Sequence, residues 1–146
     1  MRYLISLVII AAGGVFTILV QGGSVGPVFL DIPALIAVGL IPFLFVSTLF
    51  GFKGMRSAFS TPVKKEPERD KLLRALNFFK IYGKATWVAG ITAVLCSLIL
   101  MLYHLEDAAA LGPNIALSLI FLLYSGVINM VLIIPFTIFI KKHLKE

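Results

Sequence analysis

The chain has 146 residues, of which 60% are hydrophobic and 14% charged, with a formal net charge of +6. A mean hydropathy of +1.03 lies outside the range of soluble globular domains and marks an integral membrane protein. The basic excess by itself would suit nucleic acid, but the placement of the charges argues against that partner, and the single Cys96 excludes an intrachain disulfide.

Four apolar segments follow one another at residues 3–20, 32–52, 85–103 and 111–140. Each is near or above the roughly 20 residues that cross a hydrocarbon core as a helix. The first ends in Ile18-Leu19-Val20-Gln21 with no small-x-small cleavage site, so it is expected to stay as a transmembrane helix rather than be removed. The basic residues set the orientation. Arg2 precedes the first span, a long run from Lys53 to Lys84 separates the second from the third, and Lys141, Lys142 and Lys145 follow the fourth. The other two loops carry only Asp31, Glu106 and Asp107. By the positive-inside rule both termini and the central loop are cytoplasmic. The expectation is therefore a single all-α integral membrane domain over residues 1–146, with four transmembrane helices.

Between the first two spans, QGGSVGP (21–27) suits a tight Gly-rich turn. Asp31 is the candidate N-cap of the second span, and Pro33 falls in its first turn, where a proline is tolerated. Pro42 lies in mid-span and is expected to kink the helix unless a neighbour satisfies the freed carbonyl, with Gly39 permitting the bend. In the central loop (53–84), residues 54–67 contain Pro62 and Pro67 and read as a linker. Residues 68–82, ERDKLLRALNFFKIY, mix Leu72, Leu73, Leu76, Phe79 and Ile81 with Arg69, Lys71, Arg74 and Lys80. This is the pattern of a short amphipathic helix before the third span, anchored on anionic membrane lipid rather than on an acidic protein partner.

In the third span, Tyr82, Trp87 and Tyr103 are placed as an aromatic belt would be, and Thr92, Cys96 and Ser97 are its small or polar positions. His104 follows at the external end, where a solvated or locally bonded ring is the ordinary reading. The fourth span is the most informative. Ser118, Tyr124, Ser125, Gly126 and Asn129 interrupt its Leu/Ile run, and Pro135 removes a backbone donor near its end. An unpaired amide in hydrocarbon costs free energy, so Asn129 predicts a helix face turned to other protein or to a pore.

No CxxC, HExxH or phosphate loop occurs, and no carboxylate pair lies in the spans, so neither an enzyme, a metal site nor a cofactor is expected. GGSVG at 22–26 reads as a turn, since neither a preceding strand nor a companion histidine supports a nucleophile motif. Ion carriers generally use an ionisable side chain within a span, and this chain has none there. If H+ or Na+ passes, the carrier group belongs to another polypeptide, or the path is lined by Thr92, Ser97, Ser118, Ser125 and Asn129. The same residue types are also the usual contacts between packed transmembrane helices.

Two stretches carry a family resemblance. GGSVGPVFLDIPALIAVG (22–39) resembles the turn and second helix of MotA-type stator subunits, and HLEDAAALGPNIALSLIFLLYSGVINMVLIIP (104–135) is similar to their third-to-fourth helix hairpin. The chain thus resembles the MotA branch of the MotA/TolQ/ExbB proton-channel family. Tyr124 and Pro135 match the tyrosine and late proline of the family's fourth helix, and Asp31 and Pro33 match the opening of its second. The resemblance implies a bacterial inner-membrane homopentamer around a dimer of single-span partners of the MotB or ExbD kind. Those partners would carry the proton-binding aspartate, with ion flow driving rotation. The pattern departs at Leu40-Ile41-Pro42, Trp87, Ala93-Val94, Phe121-Leu122 and Ser125, and the central loop is much shorter than the family's rotor-engaging domain. The leading expectation is a reduced ring subunit that houses a partner and couples ion flux to its movement. The alternatives are a non-conducting scaffold or assembly protein, favoured by the apolar bulk of Trp87, Val94 and Leu122, and a ring filled with lipid in place of a partner.

Overall fold

Prolines and glycines set where the helices of this chain widen and break. The computed structural model describes residues 31–63, 67–103 and 108–144, and these are helical with no strand among them. Helix α1 (Ile32–Leu35) passes through a π turn (Ile36–Leu40) into α2 (Ile41–Ser60), which a 3-10 turn (Thr61–Val63) closes. Helix α3 (Arg69–Leu102) follows. Helix α4 (Ala108–Ile128) then continues through a second π turn (Asn129–Ile133) into α5 (Ile134–His143). Contacts divide the chain into two compact units, Met1–Pro33 and Ala34–Glu146; the second contains nearly all of the described residues.

Among the described residues three helical stretches, Ile32–Ser60, Arg69–Leu102 and Leu111–His143, are long and apolar enough to cross a membrane. The protein is a multi-pass membrane protein. These helices contain the second, third and fourth predicted spans; the first, at 3–20, lies outside the described residues, as do the 21–27 turn, His104, Glu106 and Asp107. Helix α3 has 34 residues, which at 1.5 Å per residue is about 50 Å, well beyond a hydrocarbon core of ~30 Å. The stretch at 68–82, expected as a short helix running into the third span, is continuous with it from Arg69. No proline interrupts it, and Gly83 lies buried against the last helix. In that stretch Leu72, Leu76 and Phe79 are buried, while Leu73 and Ile81 are exposed.

Pro42 and Pro135 are met in the same way. Pro42 and Pro135 are each the second residue of the helix that follows a π turn. In those turns the Ile41 N–H bonds to the Ile36 carbonyl and the Ile134 N–H to the Asn129 carbonyl. The wider turn lets the helix pass a residue that has no N–H and would crowd an α-helical carbonyl.

The true break in the second span comes at Gly51, with φ 70° and ψ 160° inside α2. That backbone region is essentially restricted to glycine. Ser47 Oγ bonds the Phe43 carbonyl at 2.7 Å and Met55 Sδ at 3.2 Å, tying the two sides of the break together. Nothing lies within 4 Å of where a Gly51 side chain would begin, so the cost of Gly51→Ala is purely conformational. A loss of about 1–3 kcal/mol is expected, read as a lower unfolding temperature of the detergent-solubilised protein.

Burial is concentrated near the charged ends of the spans. Leu72, Phe78, Phe79, Ile133 and Ile140 form a core with Val46 and Ala58, and Phe43, Phe50, Phe59 and Phe136 pack against it. A smaller cluster joins Ala34 and Val38 to Tyr124. In the most apolar stretch of α3, by contrast, only 11% is buried. Water drives apolar groups together only where water is present. Within hydrocarbon the Leu and Ile flanks gain little by leaving lipid, so they stay outward.

Candidate functional site

Two polar residues of the fourth span, Ser125 and Asn129, meet α3 along one seam, where α3 crosses α4 and the second π turn. Thr86 Oγ1 donates to the Tyr82 carbonyl one turn back at 2.9 Å. Across the seam, Ser125 Oγ shares its proton between the carbonyls of Phe121 at 2.9 Å and Thr86 at 3.1 Å. Asn129 Nδ2 donates to the Ser125 carbonyl at 2.9 Å and makes a longer contact of 3.5 Å to the Gly83 carbonyl. Tyr82 closes the other side, its hydroxyl donating to the Gly39 carbonyl at 3.2 Å. Three spans are thereby linked through main-chain carbonyls.

Glycine makes this approach possible. A Cβ on Gly90 would run into Ser125 Oγ, and one on Gly83 would come 2.8 Å from Asn129 Oδ1 and 3.1 Å from Ile133. Gly83, Thr86 and Gly90 recur at intervals of three and four on α3, opposite Phe121, Ser125 and Asn129 at intervals of four. Small and hydroxylated residues at helical spacing are the common contact between transmembrane helices. Among the described residues no buried side-chain nitrogen or oxygen lacks a hydrogen-bond partner, as a low-dielectric environment requires.

The sequence-predicted positions divide accordingly. Ser125 and Asn129 belong to the seam. Ser118 is buried and bonds the Asn114 carbonyl of its own helix at 2.8 Å. Tyr124 is buried against Ala34 and Val38. Pro135 sits in the first turn of α5 and is partly buried. Thr92 is exposed and Ser97 partly buried, and neither joins the seam. Asp31 directly precedes α1, in which Pro33 is the second residue. Tyr82 is a correction. Expected in an aromatic belt, it is only 4% exposed and serves as a cross-helix donor, while Trp87 and Tyr103 are exposed.

Gly83, Thr86 and Gly90 were not among the sequence candidates. Their signal was legible as a small-residue repeat, one that the intervening Lys84 and Trp87 obscure. Chemically, the donor protons of Thr86, Ser125 and Asn129 are directed to backbone oxygens, so these bonds clamp the helices together. Against known protein families, curated proteins and solved structures, the chain finds no match.

Proposed function

We propose that this chain is the wall subunit of a ring in the bacterial inner membrane, similar to the MotA branch of the MotA/TolQ/ExbB family. In this reading a homopentamer with both termini and the 53–84 segment cytoplasmic houses a single-span partner. That partner's carboxylate carries H+ or Na+, because the spans of this chain hold no carboxylate of their own. The observation that supports it most is that the two stretches carrying the resemblance meet: Ala34 and Val38 of the D-x-P-A-L run pack on Tyr124 of the last span. The outward apolar flanks of the long helices, with 11% of the α3 stretch buried, leave ample surface for neighbouring copies. The experiment is co-expression with a candidate single-span protein, counting of copies by mass photometry, and ion flux into liposomes under a pH gradient. Several copies are expected around the partner, with flux abolished when the partner's carboxylate is neutralised. A single-copy particle would overturn the ring, and absence of flux with partner present would overturn coupling.

The seam favours a second reading, a non-conducting scaffold that keeps the ring. Ser125 and Asn129, two of the groups available to line an ion path, bond to carbonyls of their own chain. Their pairing also removes the reason for requiring another chain to satisfy Asn129. A ring that assembles around the partner yet passes no ions is the outcome this reading expects.

A further inference from the structure

Bordered by Gly83 and Asn129 of the seam, an open groove of about 390 Å³ lies between α3 and the last helix. Lys80 and Lys84 line it from α3 and Lys141 from α5. Among the described residues no carboxylate lines it. Three ammonium groups around one concavity repel one another, and an anion seated among them relieves that repulsion. The lysines stand where the apolar stretches end: Lys84 just before the apolar part of α3, Lys141 directly after Ile140. Ile134 and Ile138 form an apolar side of the groove and are 50% and 62% exposed, and Trp87 lines it as well. The groove's lining is therefore part basic and part apolar.

We propose that this groove is a binding site for an anionic glycerophospholipid, with the phosphate among Lys80, Lys84 and Lys141 and an acyl chain along Ile134, Ile138 and Trp87. A soluble anion would satisfy the lysines but leave the isoleucines and the indole uncovered. A zwitterionic lipid would cover the apolar side but bring its own ammonium group to a basic rim. Only an anionic lipid answers both surfaces, and basic pockets between transmembrane helices are a recurrent setting for such headgroups. The site is distinct from a general attraction of basic loops to the membrane. Arg74 and Lys71 also lie on α3 but do not line the groove, and Lys71 pairs with Glu68 at 2.6 Å. The inference holds whether or not the chain forms a ring.

Trp87 is the only tryptophan of the chain and so reports on the groove directly. The test uses the full chain in phosphatidylcholine vesicles containing a minor fraction of phosphatidylglycerol, with bromine placed on the acyl chains of one lipid or the other. Quenching of Trp87 is expected to show about tenfold preference for phosphatidylglycerol over phosphatidylcholine, given a substantial attraction per lysine at the surface. Lys80→Gln/Lys84→Gln/Lys141→Gln is expected to abolish the preference. The corresponding Lys→Arg triple and the control Lys71→Gln/Arg74→Gln are expected to keep it. Should the glutamine triple fail to fold, high salt applied to the unaltered protein supplies the same reading, with preference expected to collapse.

Inorganic phosphate, added to vesicles of either composition, separates the two sources of the phosphate group. Weak or no displacement of the brominated phosphatidylglycerol supports the lipid site. Full displacement would make the groove a soluble-phosphate site and overturn the proposal. So would equal quenching by both lipids, a preference that survives removal of the lysines, or a Trp87 shielded from both lipids by a second copy.

Discussion

Phe78→Ala is expected to destabilise the protein by about 3–5 kcal/mol, the range for truncating a fully buried aromatic residue. Phe78 has 0% exposure. It meets Phe43 at 6.2 Å and 84°, Phe50 at 5.5 Å and 77°, Phe59 at 6.0 Å and 70°, and Phe79 at 5.5 Å and 87°. These are edge-to-face arrangements, each worth roughly 0.5–1.5 kcal/mol beyond area burial. The four partners come from both sides of the Gly51 break and from α3 itself, so no single element can move to fill the hole. Phe45, on the same helix as Phe43, is 58% exposed. Phe45→Ala is expected to leave stability nearly unchanged, because lipid takes up the space the ring leaves. Unfolding of the two variants in mild detergent, followed by near- and far-ultraviolet circular dichroism, checks the contrast. Equal losses would mean that the phenylalanine cluster is not the core of the described fold.

The sequence made the membrane character plain, because long uncharged runs have no soluble alternative. It also placed Pro33 and the candidate polar residues on helices. It did not disclose how Pro42 and Pro135 are accommodated, since a π turn is a relaxation of backbone geometry with no residue code of its own. A kink was the natural expectation at Pro42; the sharp departure from helical dihedrals instead falls at Gly51, whose neighbours Phe50 and Phe52 read as continued span. Asn129 was recognised as needing a partner, yet the partner is a carbonyl of Gly83 and another of Ser125. Main-chain acceptors are present at every residue and leave no mark in composition. Tyr82 was misplaced for a related reason. Near a span end it looks like a belt residue, and only the proximity of Gly39, 43 positions earlier, shows that it points inward.

Gly90→Ala decides between clamp and pathway for the polar residues of the last span. Alanine favours a helix over glycine by about 1 kcal/mol, so in open space the change would stabilise α3. Here the new methyl would collide with Ser125 Oγ and lie 3.0 Å from Ser125 Cβ and 3.2 Å from the Phe121 carbonyl. The hydroxyl could rotate away, but the Cβ and the main-chain oxygen cannot, and rotation forfeits the bonds to Thr86 and Phe121. Overpacking costs about 1–3 kcal/mol and is expected to outweigh the propensity gain, with Gly90→Leu worse still. Ser125→Gly removes every atom of the obstructing side chain. Gly90→Ala/Ser125→Gly is therefore expected to be more stable than the sum of its single changes implies, with a coupling of about 1–3 kcal/mol in the cycle. Thermal unfolding of the four proteins measures it. If instead Gly90→Ala is as stable as the parent and the cycle shows no coupling, α3 and α4 do not close on each other at Ser125. Its hydroxyl and the Asn129 amide would then be free to face a lumen, and the conducting reading would gain the lining that the seam denies it.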